Sequence, residues 1–280
     1  MQIIGEISPA DGRALAGNND ILLIPVAIAG QPLQFLMNTR RFPTDKLAVR
    51  QALLYGTNRT VIIDSVFQGF SPIAWGPLAA NTLYYSNQVR GQYAHDTGQA
   101  QSLLASAGFE DSDRDGLFDD NGLPVEVNII VPSWGLIPEV ARFLKDQWRT
   151  IGIRAVLEPV PGISALIEKV MTGNYNLVAY NIFALDPAFL SEFFSTGGNS
   201  NWTGYSSGEL DNLLREAARQ IDPVVRANLY AQVQRIIMDE ALTLPIRDYV
   251  NLNGTRITIS GLSFDPFGWY PLLSNVSILD

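Results

Sequence analysis

The sequence contains no cysteine and a single histidine among its 280 residues. Without cysteine no disulfide can form, which is unremarkable for a bacterial extracytoplasmic protein and mildly unusual for a cytosolic one. With His95 alone, a zinc site built from several histidines is excluded, and a Ser-His-Asp triad would have to use that one residue. G-x-S-x-G, H-E-x-x-H and the phosphate-binding P-loop are also missing. Positive charge is scarce: 19 Lys and Arg face 28 Asp and Glu, the net charge is −9, and Arg40-Arg41 is the only basic doublet. Neutralising phosphates takes clustered Lys and Arg, so no nucleic-acid partner is expected. No apolar run approaches the roughly 18 residues of a membrane span. The longest, Ile21 to Ala29, contains Pro25 and suits an edge or bulged strand. Met1 leads straight into Ile3-Ile4-Gly5-Glu6 with no visible signal peptide, so the expectation is a cytosolic protein or a chain beginning inside a longer one.

What is present is ordinary for a globular protein: 47% hydrophobic and 17% charged residues, in a length suited to one large domain or two modest ones. Strands are expected at Ile21–Ile28, Leu33–Met37, Val125–Val131, Ile153–Leu157, Leu177–Ile182 and Leu242–Ile246, with an exposed one at Thr255–Ile259. Helices are expected after Pro43-Thr44-Asp45, over Val61–Phe67, and from Asp96, which with Gln99 has capping-box spacing. Others follow Pro138, span Ile163–Met171, and run in tandem around Leu210–Ala217 and after Asp222-Pro223. The strand–helix alternation through residues 125–182 implies parallel strands with right-handed crossovers, and so an α/β fold. Residues 1–20 and Phe264 to Asp280 carry no such pattern beyond a strand stub at Ile3-Ile4 and a turn or cap at Ser8–Gly12.

The chain is organised around Gly173–Asp211. There a short apolar strand gives way to Phe183-Ala184-Leu185, and Asp186-Pro187 then opens a helix, with Asp186 as the cap. A loop at the carboxyl end of a strand is where open α/β sheets bind ligands. Ser133-Trp134-Gly135 follows the carboxyl end of another strand in the same parallel set and should converge on that edge. Trp134, Phe183 and Trp75, at or near expected element ends, would supply the apolar walls usual for small-ligand sites, with Ser133, Asn181 and Asp186 as polar neighbours. For any one aromatic, plugging a core edge is the plainer explanation.

Two other chemistries have candidates. Asp111, Asp113 and Asp115 with Gly116 fit the first half of a calcium loop, but position 12 is Gly122, and Asp119 or Asp120 could replace its Glu only with altered geometry. A solvated acidic turn explains the same residues. Asp186 and Glu192 could act as a carboxylate pair in a hydrolase of glycosides or peptides, but helix capping and a solvated helix face account for both.

A run of short motifs carries a family likeness: Val49-Arg50-Gln51-Ala52, Asn58-Arg59, Gly76-Pro77, Leu103-Leu104, Ala107-Gly108, Ile151-Gly152-Ile153, Gly173-Asn174-Tyr175, Asp186-Pro187, Gly204-Tyr205, Glu209-Leu210-Asp211 and Leu229-Tyr230. In their order and spacing over residues 35–250 the chain resembles the C-terminal half of the peptide-type (family 5) extracellular solute-binding proteins of ABC importers. The resemblance implies a type II periplasmic-binding-protein lobe, with a mixed or parallel sheet flanked by helices. It implies an extracytoplasmic, non-enzymatic protein, periplasmic or a surface lipoprotein, that needs no cofactor. Its partners would be a small-molecule or peptide ligand and the ABC permease membrane subunits. Residues 23–250 would form the ligand-binding second lobe, while 1–22 and 251–280 would cross back to a first lobe. Dipeptide binders of the family carry an acid three positions before the Asp of Asp-Pro to pair with the ligand's amino group. Phe183 stands there instead, which favours a more apolar ligand, a blocked peptide, or an amine held by the other lobe.

Overall fold

In the computed structural model, which describes residues 2–279, the chain opens with a two-residue strand, β1 (Ile3–Ile4). Ser8 then accepts the Asp11 amide and Pro9 takes the first turn, so a full helix, α1 (Pro9–Leu15), forms where the sequence suggested only a turn or cap. Strands β2 (Ile21–Ala27) and β3 (Leu33–Met37) follow. Helix α2 is Leu47–Tyr55, and α3 is Arg59–Val66, begun by the Asn58 side chain accepting the Val61 amide. Residues 67–96 are irregular except for a 3-10 turn at Asn87–Val89, in keeping with their Pro and Gly content. Helix α4 (Thr97–Ser106) starts where Asp96 accepts the Gln99 amide at 2.9 Å.

A small ribbon, β4 (Asp119–Asp120) with β5 (Leu123–Pro124), precedes the alternating core. That core runs β6 (Glu126–Pro132), α5 (Ile137–Thr150), β7 (Arg154–Val160), α6 (Ile163–Met171) and β8 (Leu177–Ala179). Then come α7 (Leu190–Phe194), α8 (Gly208–Arg219), α9 (Pro223–Asp239) and β9 (Thr243–Arg247). The chain closes with β10 (Val250–Arg256) and four two-residue strands: β11 (Ile259–Ser260), β12 (Ser263–Phe264), β13 (Pro271–Leu272) and β14 (Ser277–Ile278). No helix among the described residues is long and apolar enough to cross a membrane.

The main sheet has the order β7-β6-β8-β3-β9. β6 pairs in parallel with β7 and β8, whereas β3 is antiparallel to both β8 and β9. Four strands therefore point one way and β3 the other: a mixed sheet in an α/β fold. Period-two alternation sorts its side chains between two cores. Phe35, Met37, Ile129, Val131 and Leu177 join Trp148 and the buried residues of α2 to α5 on one face, while Leu36, Ile130 and Val178 join α6 to α9 on the other. Because both faces are covered, the strands read as continuous apolar runs.

Two expectations need correcting. The strand expected to reach Ile182 pairs only through Ala179, since the Tyr180 carbonyl and the Ile182 amide turn to the side chains of Gln34 and Gln31. The exposed strand expected at Thr255–Ile259 is instead β10, displaced upstream and buried from Asn251 to Thr255. It is central in a second sheet of order β1-β10-β2, where Pro25 sits in the outer strand. Its buried residues include Asn251, Asn253 and Thr255, so hydrophobic periodicity had little to show. Met1 and Asp280, the outer limits of the two expected end segments, lie outside the described residues.

Candidate functional site

Strand direction decides where a ligand can sit. Pro132 pairs with Val160, and Leu33 with Arg247, so the carboxyl ends of β6, β7 and β9 and the amino end of β3 share one edge of the sheet with the end of β8. The segments that leave from it include Ser133-Trp134 after β6, Tyr180–Leu185 after β8, and Asp248-Tyr249 after β9. Ser133 is exposed and its amide donates to the Val160 carbonyl at 3.0 Å, tying two neighbouring loops together. Trp134 is exposed beside it.

The central segment is held from below. The Gln31 amide donates to the Ile182 carbonyl at 2.9 Å, and the Ile182 amide donates back to Gln31 Oε1 at 3.0 Å. Gly30 lies directly under this stretch with φ +127°, where a Cβ would stand 2.7 Å from the Ile182 carbonyl oxygen and the Ala184 nitrogen. Only glycine allows that approach. The Thr82 hydroxyl fixes Gly30 in turn, accepting its amide at 2.8 Å and donating to its carbonyl at 3.0 Å.

On this support Phe183, 36% exposed, meets two aromatic edges. Tyr249 stands at 4.9 Å and 89° to it, and Trp269, from the tail, at 5.5 Å and 70°. Both are edge-to-face arrangements favoured by the ring quadrupole. The Tyr249 hydroxyl donates to Asn181 Oδ1 at 3.0 Å. The structure thus joins Asn181 and Phe183 through a residue that sequence reasoning missed. Tyr249 follows β9, and recognising β9 as another strand pointing the same way would have been the signal. Trp269 had none, because its segment has no periodicity.

The other candidates are engaged elsewhere. Asp186 caps the turn before α7 by accepting the Ala188 amide at 2.9 Å, and it binds Arg226 Nη2 on α9 at 2.9 Å. Arg226 lies over the Tyr84 and Tyr230 rings and donates to the Ala217 carbonyl. Glu192 is exposed on α7. Trp75 lies 5.6 Å from the Arg59 guanidinium, which is buried and donates to the carbonyls of Pro245 and Tyr93. Desolvation lowers the Arg59 pKa to about 10.

Behind Tyr249 the charge is buried. Arg247 is sandwiched between the Phe67 ring at 4.0 Å and the Tyr249 ring at 4.5 Å, and desolvation lowers its pKa to about 10. Burial pushes the neighbouring Asp248 carboxyl up to about 6, against the opposing pull of the Ala80 amide and of Arg247. One Asp248 oxygen accepts the Ala80 amide at 3.1 Å, and the other has no partner.

In the acidic loop, Asp111, Asp113 and Asp115 each offer an oxygen within 4.8 Å of the others, all three exposed. Those carboxylates also accept backbone amides of the same loop, from Gly116, Asp115 and Leu117. Asp119 accepts both the amide and the hydroxyl of Ser112.

Residues 1–202 match the sequence profile of bacterial extracellular solute-binding proteins, family 5 Middle. Heme-binding protein A of Haemophilus influenzae is 29% identical over 243 residues, covering 83% of this chain and 42% of that protein. The dipeptide-binding protein of Escherichia coli is 25% identical over 284 residues, covering 99% of this chain and 51% of that protein. The chain thus spans about half the length of the curated relatives it matches. Among solved structures, NikA from Brucella suis in complex with Fe(III)-EDTA superposes with a TM-score of 0.88 at 18% identity, over 99% of this chain and 57% of that one. That likeness establishes the fold.

Proposed function

The chain belongs to the family 5 bacterial extracellular solute-binding proteins, and we propose that it is the second lobe of a two-lobed receptor serving an ABC importer. In this reading the edge carrying Ser133, Trp134, Asn181 and Phe183 forms one wall of an interlobe cleft that takes a peptide-like or other small solute. Residues 23–250 form the lobe, and 1–22 with 251–280 lead to the first lobe. The protein works outside the cytoplasm, binds without catalysis, and delivers its solute to the membrane permease after hinge closure.

The observation that carries the reading is the convergence of parallel strand ends on one edge, with a loop clamped there by Gly30 and Gln31. Such an edge is a binding position in α/β sheets. The family membership supports a binding role, and the relatives described above are named for binding heme and a dipeptide. Asp186 is committed to its cap and its ion pair, which leaves the carboxylate-hydrolase alternative without support.

An open half-cleft contributes only part of the contacts, so this chain by itself should bind a dipeptide with a dissociation constant weaker than about 1 μM, a free energy smaller than about 8 kcal/mol. Isothermal calorimetry tests this. Micromolar or tighter binding by the 280-residue chain would overturn the half-site reading.

A further inference from the structure

A separate cavity opens between the start of the chain, β10 and the tail. Its volume is about 280 Å³, and its lining includes Gly5 and Glu6 after β1, Asn251 and Asn253 of β10, and Phe264 and Trp269 of the tail. None of the segments described above that leave the ligand edge after β6, β8 and β9 lines it.

The polar side chains of this lining present acceptors. Asn251 is 5% exposed, and its Nδ2 donates to the Gly268 carbonyl at 3.2 Å. Turning the amide over would set oxygen against oxygen, so Nδ2 is committed to the tail turn and Oδ1 is the end left for the cavity. That oxygen is buried and has no hydrogen-bond partner among the described residues. Asn253 lies two residues on, on the same face of β10. Its Nδ2 donates to the Asn251 carbonyl at 3.1 Å, and its Oδ1 lies toward Gly5, where a Cβ would stand 3.2 Å from it. Glu6 brings a carboxylate that forms no ion pair among the described residues. Asp265 places another beside Trp269, held through Oδ1 by the Trp269 and Tyr270 amides at 2.9 and 3.0 Å. No Lys or Arg lines the cavity.

A buried acceptor costs free energy until a donor reaches it. With a carboxylate and an aromatic face beside it, the best donor is also a cation, because a charged N–H makes the stronger hydrogen bond and a ring face attracts positive charge. A bare calcium or magnesium ion calls for about six or more oxygens, more than this half-aromatic lining supplies.

We propose that this cavity is a binding site for an organic cation, a guanidinium or primary ammonium group whose N–H donors meet Asn251 Oδ1 and the Glu6 carboxylate beside Trp269. The site is distinct from the ligand edge and does not depend on the solute-binding reading. Trp269 connects the two, since it also meets Phe183 at 5.5 Å.

The test titrates the chain with methylguanidinium chloride at constant ionic strength and follows the five tryptophan indole N–H resonances by NMR, with Trp269 assigned through Trp269→Phe. A saturable shift of the Trp269 indole is expected, with a dissociation constant below about 10 mM. Glu6 is exposed, so Glu6→Gln should leave the fold intact while weakening binding about tenfold. Glu168→Gln, an exposed change on α6, should leave binding as it is. Tetramethylammonium keeps the charge but has no N–H, and should bind about tenfold more weakly than methylguanidinium. The cation site is overturned if the Trp269 indole shows no saturable shift up to about 50 mM, or if sodium chloride shifts it equally. The role of Glu6 is overturned if Glu6→Gln and Glu168→Gln bind alike, and that of the Asn251 oxygen if tetramethylammonium binds as tightly as methylguanidinium.

Discussion

The two larger sheets of this molecule solve the problem of burial differently. The five-stranded sheet finds cover for both faces within the chain: Trp148, Phe35, Phe193 and Tyr230 are fully enclosed between strands and helices. In the three-stranded sheet only β10 is well buried, and the segments around it leave Leu22, Ile257, Leu273 and Ile278 exposed. Its buried residues include the polar Asn251, Asn253 and Thr255. The first sheet is an internal core, while the second is a surface whose apolar side chains suit it to lie against something else. That contrast fits the proposal that the end segments belong to a further lobe.

The contrast can be attacked at three points. The largest effect is expected in the five-stranded core. Trp148 is fully buried on α5, with its indole N–H donating to the Leu53 carbonyl and the Thr57 hydroxyl. Trp148→Ala should therefore cost about 3–5 kcal/mol in urea unfolding. A loss below about 1 kcal/mol would mean that this core is not the cooperative unit.

An intermediate effect is expected at the joint between the sheets, where Asp248 links β9 to β10. Burial raises its folded pKa from 3.8 to about 6. In the folded state it therefore holds a proton that the unfolded chain releases at lower pH. Stability from this group is greatest below the unfolded value and falls as pH rises toward and through the folded one. Asp248→Asn should remove that loss, stabilising the chain by about 1–3 kcal/mol near pH 8 and by little near pH 4. Urea midpoints at the two pH values check it, and an equal effect at both would refute the linkage.

The smallest effect is expected in the end segments. Leu273 is 57% exposed, so Leu273→Ser should change stability by no more than about 0.5 kcal/mol in thermal melts. A cost above about 1 kcal/mol would show that these side chains already have a core of their own and would erase the difference between the sheets.

Legibility in the sequence follows the same divide. The helices α4, α5, α6 and α9 could be placed from Asp96, Pro138, the Ile163–Met171 pattern and Asp222-Pro223, because caps and periodic faces are local signals. Pro25 correctly marked an outer strand. The family likeness was legible from short motifs such as Asp186-Pro187 and is borne out by the profile match. β10 was misplaced because its polar residues are buried by two neighbouring strands from distant parts of the chain. The ligand edge was legible through topology, and Phe183 and Asn181 do meet there, but Tyr249 and Trp269 join them only through long-range contacts. Gly30, too, carries no local sign that a loop more than 150 residues later will rest on it.

β2 hands over to β3, and β9 to β10, at almost the same point: the Ile28 amide donates to the Tyr249 carbonyl at 2.9 Å across the two crossings. If the two lobes proposed above close on a solute, this junction would be the pivot, with Tyr249 and the aromatic cluster beside it. The seven residues of the strand Val250–Arg256 follow Tyr249 directly, a lever arm of roughly 20 Å. Tilting the small sheet about the crossings would therefore sweep its far end through several ångströms while the rings beside Phe183 barely shift. Solute recognition would stay almost stationary while the motion that reports it is amplified at a distance.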